Sequence, residues 1–229
     1  MMQTLPLTAP HCRAHCATIA RWWSDHAVDP AGGFYGQIND DGSVEVNANK
    51  GIILNTRILW FFSEAAVFLD SAECKALASR AYHYLLDHFD DKTSGGVFWE
   101  LDAQGQLVNG KKQTYAQSFA IYALCAYYKA TGDQAALAKA LSYFQLLEQH
   151  SWDKEKQGYL EAFSQDWQGV QDLRLSEKDL NYPKTMNTHL HVLEAYTALY
   201  LQHKTTDVQQ ALQRLTLLFA ERIVNAANG

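Results

Sequence analysis

Positive charge is scarce in this chain of 229 residues: 19 Lys plus Arg stand against 25 Asp plus Glu, the formal net charge is −6, and no basic run occurs. A nucleic-acid binder must neutralise phosphates, so nucleic acid is not an expected partner. There is no GxGxxG, Walker loop, HExxH, GxSxG or CxxC sequence, which leaves nucleotide, zinc-protease and serine-hydrolase readings without an anchor. The four cysteines, Cys12, Cys16, Cys74 and Cys125, lie in helix-like stretches rather than a loop-rich framework, the pattern of reduced thiols in a cytosolic protein. Cys12 and Cys16, beside His11 and His15, match no zinc spacing and read as part of one helix. No run approaches ~18 consecutive apolar residues and the opening MMQTLPLTAPHCRAHC has no apolar export core, so no membrane is expected and the cytoplasm is the expected location.

Hydrophobic residues make up 48% of the chain and aromatics 12%, enough to bury a substantial core. Three loop segments resemble one another: GGFYGQINDDGSV from Gly32, GGVFWELDAQGQLV from Gly95 and QGYLEAFSQDWQGV from Gln157. Such self-similarity marks repeated supersecondary units. After each segment comes a helix-like stretch almost free of charge, at about 50–69, 112–130 and 184–203. A helix apolar nearly all round must be buried nearly all round, so these are inner helices. Stretches at about 11–27, 72–89, 133–150 and 206–224 carry charge on one face only and read as outer helices.

Alternation of outer and inner helices predicts an all-α toroid of helical hairpins. Six hairpins of this period would need roughly 380 residues, so an incomplete ring of about seven helices is expected, with residues 1–229 forming a single domain.

The candidate chemistry lies at the starts of the inner helices. In KTMNTHLHVLEAYTALY (184–200), Asn187, His191 and Glu194 share one helical face while His189 turns away from it. Arg57 with Asn55, and Tyr115 with Gln117, are further polar groups that would converge with His191 on a water-filled lumen. The bland alternative for Arg57 is an ion pair with Glu64, seven residues on. Loop carboxylates at Glu100, Asp102, Glu161, Asp166 and Asp179 keep an inverting glycosidase open as a rival.

GGFYGQI (32–38), KGIILNTRILWFFSEA (50–65), GGVFWELD (95–102), KKQTYAQSFAIYAL (111–124) and RLSEKDLNYPKTMNTHLHVLEAYTALY (174–200) together resemble the N-acylglucosamine 2-epimerase family, and within it the cellobiose-acting members. The resemblance implies an (α/α)6 barrel, of which this chain would be the N-terminal part. It implies epimerisation at C2 of the reducing-end glucose of a β-1,4 disaccharide, by proton abstraction through an enediolate, with no metal or nucleotide cofactor. It casts His191 as catalytic and Arg57, Tyr115 and Asn187 as substrate-binding. The family's two proton-transferring histidines belong to later inner helices, so a truncated form is expected. The alternatives are N-acetylglucosamine 2-epimerase or mannose isomerase activity, or a non-catalytic sugar-binding half-barrel. A small-molecule sugar is the expected partner, with self-association through an open barrel edge.

Overall fold

The computed structural model describes residues 8–224; the first seven residues of the opening stretch, in which no export core was found, lie outside them. Among the described residues seven α-helices alternate in two layers. The outer ones are α1 (Ala9–His26), α3 (Ala72–Tyr84), α5 (Gln134–Leu146) and α7 (Thr206–Leu218); the inner ones are α2 (Ile52–Leu69), α4 (Thr114–Thr131) and α6 (Met186–Gln202). Inner helices pack on one another in the order α2, α4, α6, and each also packs on the outer helix that follows it. The core is therefore continuous along the row, from Phe34, Leu59 and Phe62 through Ala120, Leu124 and Tyr143 to Val192, Tyr196 and Leu215. The inner and outer assignments made from charge patterning hold for every helix.

The helices start and stop for local reasons. Ser71, Asp133 and Thr185 cap α3, α5 and α6 by accepting N–H bonds from Cys74, Ala135 and Thr188. Outer helices α3, α5 and α7 each close in one π-turn, at Leu85–Phe89, Leu147–Ser151 and Phe219–Ile223. Short antiparallel ladders tie the loops together: β1 (Lys50–Gly51) with β2 (Glu100–Leu101), β2 with β3 (Leu107–Asn109), and β4 (Lys112–Gln113) with β5 (Ala162–Phe163).

By length and composition α2 would suffice to cross a membrane, with a mean hydropathy of 1.5, which the sequence expectation did not anticipate. In this fold it is an inner helix, packed on α1, α3 and α4.

The repeat has a polar mark that the aromatic loops obscure. Lys50 Nζ bonds Asp29 at 2.6 Å, Lys112 Nζ bonds Asp91 at 2.8 Å, and Lys184 Nζ bonds Asp153 at 2.7 Å. Each aspartate also closes its own turn, taking the N–H of Ala31, Thr93 or Glu155. Partners are 21, 21 and 31 residues apart, so the third loop carries an insertion of about ten residues ahead of α6 relative to the other two. Lys50 and Lys112 are almost wholly buried, at 2% and 0% exposure, a placement that requires the partner carboxylate.

Candidate functional site

Each clamp lysine stands just before an inner helix and fixes the register of the three. Seven residues on come Arg57, Phe119 and His191; ten on, Trp60, Tyr122 and Glu194; fourteen on, Glu64, Ala126 and Ala198. The first two sets line one cavity of about 540 Å³, walled further by Ile19, Trp23, Leu54, Ile58 and Phe61. Equivalent turns of α2, α4 and α6 thus meet at one level, and the three helices run in the same direction.

In that cavity the guanidinium of Arg57 lies 4.9 Å from the Phe119 ring centroid. Its Nη2 is 3.5 Å from the Tyr115 hydroxyl, at the outer limit of a hydrogen bond. The Tyr115 and Phe119 rings each lie 4.7 Å from the imidazole of His191. His191 Nδ1 is 2.7 Å from Glu194 Oε2. A carboxylate accepts in such a bond, so Nδ1 carries the proton between them and Nε2 is the ring nitrogen left outside it. Burial, and then the charge of Glu194, push the Tyr122 phenol above its ordinary value, so it stays a neutral donor.

Arg57, Tyr115 and His191 are therefore brought together as the sequence predicts. The expected rival pairing is not made: Glu64 takes Lys129, at 2.9 Å, and among the described residues Arg57 has no carboxylate partner. Asn187 stands apart from this cluster. It is exposed and lines an adjoining cavity of about 410 Å³ with Glu161, Arg174, Asp179 and Thr185.

Asn55 and Gln117 do not converge on the lumen, and the reason is geometric. Residues two apart on a helix point in opposed directions, so Asn55 cannot share a face with Arg57, nor Gln117 with Tyr115. Both are buried on backbone partners: Asn55 donates to Gly51 O, and Gln117 takes Val97 N–H at 2.8 Å while donating to Val97 O at 2.9 Å. His189 holds the equivalent position on α6. Its Nδ1 donates to Thr185 O at 2.6 Å and its Nε2 accepts Tyr159 N–H at 2.9 Å. It is structural, as its placement off the lumen face implied.

The glycines that flag the repeat explain these contacts. Gly96 and Gly158 have φ of +77° and +85°, and a Cβ there would fall 2.7 Å from Gln117 Oε1 and 2.6 Å from His189 Nε2. Only glycine fits both the left-handed backbone and the approaching polar atom.

Three of the five loop carboxylates of the glycosidase rival have local work. Asp102 takes the N–H of Gln104 and Gln106, Asp166 accepts from Ser164, and Glu161, on which burial raises the carboxyl pKa, takes Thr185 N–H and the Thr188 hydroxyl at the start of α6. None of the five lines the cavity of Arg57 and His191.

Residues 33–229 match the sequence profile of the N-acylglucosamine 2-epimerase (GlcNAc 2-epimerase) family. A cellobiose 2-epimerase of Bacteroides fragilis is 47% identical over 208 residues, which is 90% of this chain and 53% of that protein. The solved structure of a cellobiose 2-epimerase from Bacillus thermoamylovorans superposes with a TM-score of 0.89 at 33% identity, covering 94% of this chain and 56% of the other. A D-mannose isomerase of Marinomonas mediterranea is 27% identical over 90% of this chain and 48% of its own length. The chain spans about half the length of the curated relatives it matches. With the alternating helix layers and nearly the whole chain inside the family profile, it belongs to the N-acylglucosamine 2-epimerase family, whose solved members are (α/α)6 barrels.

Proposed function

We propose that this chain forms the sugar-binding side of a carbohydrate 2-epimerase, which converts the reducing-end glucose of cellobiose-type β-1,4 disaccharides to mannose. The observation that carries the reading is the meeting of a base, a cation and a phenol: His191 and Arg57 line a cavity walled mostly by aromatic and aliphatic side chains, and Tyr115 stands against both of them. The names of the similar proteins supply the substrate class.

The chemistry follows from those groups. In the open-chain sugar the C2 hydrogen is acidified by the C1 carbonyl. A base removes that proton, the electron pair moves into a C1–C2 double bond, and charge collects on O1 as an enediolate. Return of a proton to the opposite face of C2 gives the epimer. His191 Nε2 has the basicity for one transfer, while Arg57 and Tyr115 offer fixed donors to O1. Asn187, one turn nearer the start of α6, would hold the remaining hydroxyls. One imidazole reaches one face of C2, so the reading assigns the second face to a further base elsewhere in the ring.

The test is incubation with cellobiose in deuterated water, with calorimetric titration alongside. Cellobiose binding that is lost in Arg57→Ala and His191→Ala, and deuterium at C2 with glucosyl-mannose formed in a protein carrying the full ring, are the expected results. Absence of both binding and exchange would remove the reading. The D-mannose isomerase relative favours a second reading, aldose–ketose conversion of mannose through the same enediolate. Product analysis with mannose and N-acetylglucosamine separates the two. Binding without any exchange would mark a non-catalytic sugar-binding half-barrel.

A further inference from the structure

Beyond the Arg57–His191 cavity lies a second, smaller one of about 250 Å³, lined by Glu64, Cys125, Ala126, Lys129, Ala198 and Leu201 among others. Trp60 and Tyr122 line both cavities. Their rings are stacked, with centroids 5.8 Å apart and planes inclined at 20°. They occupy equivalent positions on α2 and α4, and the third member of that level is Glu194, the partner of His191. A single layer of side chains thus divides the lumen. On one side stand the arginine and the basic imidazole; on the other the Glu64–Lys129 ion pair and small apolar side chains.

Aromatic rings are rigid and present a flat apolar face, well matched to the C–H face of a pyranose. A stacked pair resists displacement better than either ring alone. Proton abstraction demands that C2 stop within hydrogen-bond reach of the base, and small errors in placement cost rate steeply. We infer that the Trp60–Tyr122 stack is the floor of the sugar chamber and fixes the depth at which the reducing-end ring comes to rest against Arg57 and His191. Both are positioning residues. The inference rests on the proposed sugar site and adds to it the wall that limits it.

The experiment is titration of the chain with cellobiose, followed by calorimetry and by proton NMR of the sugar, for wild type, Trp60→Leu, Trp60→Phe, Tyr122→Phe and Arg57→Ala. Ring-current upfield shifts of sugar C–H protons are expected in the wild type. Trp60→Leu should weaken binding about tenfold and reduce those shifts, whereas Tyr122→Phe and Trp60→Phe, which keep both rings of the floor in place, should stay within about twofold to threefold and retain them. Should Trp60→Leu fail to melt cooperatively, the shifts in the two conservative variants decide: their absence overturns the floor. Wild-type affinity in a folded Trp60→Leu, with binding still weakened by Arg57→Ala, overturns the floor and leaves the sugar site standing. No binding to the wild type overturns both.

Discussion

Two histidines two residues apart on α6 have opposite fates, and hydrogen-bond direction decides each. His189 faces a carbonyl through Nδ1 and a backbone N–H through Nε2, which fixes one neutral tautomer; a second proton would set N–H against N–H. Burial, opposed by the bond to Thr185 and aided by Lys184, accordingly lowers its pKa. The unfolded chain takes up the proton first as pH falls, so His189 costs stability progressively below its unfolded value of about 6.5. Glutamine already does this work at the equivalent position 117. His189→Gln should keep the Tyr159 N–H satisfied and show a smaller loss of stability between pH 7.5 and 5.5 than the wild type, measured by urea unfolding. His189→Ala, which orphans that N–H, should lose about 1–3 kcal/mol at neutral pH.

Among the elements, the three Asp–Lys clamps set the register of the inner helices and thereby the level at which Arg57, Phe119 and His191 meet. For Asp91, burial acts to raise the carboxyl pKa, yet Lys112 and the N–H groups of Ser94 and Thr93 hold it below the usual range; Asp153 is held at about 2, by the N–H of Lys156 and then by Lys184. A depressed carboxylate contributes stability above its unfolded value and loses it as pH falls through the folded one, so the Asp91 and Asp153 clamps should weaken in acid, the Asp153 clamp between about pH 4 and about pH 2. Removing one partner leaves a buried charge: Lys112→Met should cost about 3–5 kcal/mol, and Asp91→Asn in the same chain should recover much of it. Thermal melts of the two single variants and the double variant check the coupling. The aspartates and lysines are plain in the sequence, but 21 or 31 residues separate the partners, and nothing local pairs them.

Over the whole molecule, large apolar side chains stand exposed at the two ends of the helix row, Ile19 and Trp22 on α1, Leu201 on α6 and Leu217 on α7. Exposed apolar surface of this kind favours association. Sedimentation velocity should show a weight-average mass that rises with concentration, and Leu201→Glu with Leu217→Glu should return it to the monomer.

Helix order, the layer of each helix and the glycine-marked repeat were legible in the sequence, because charge patterning and periodicity are local consequences of which face meets water. So was the shared face of His191 and Glu194 on α6, since a single helix fixes their directions relative to one another. Tertiary structure alone decided how α2, α4 and α6 are set against one another. That register brought Arg57 to Phe119 and His191, gave Glu64 to Lys129, turned Asn55 and Gln117 to the backbone, left Asn187 in a neighbouring cavity and stacked Trp60 on Tyr122. Each of these is a contact between segments far apart in the chain, fixed by buried clamps and packing rather than by any local preference of the residues themselves.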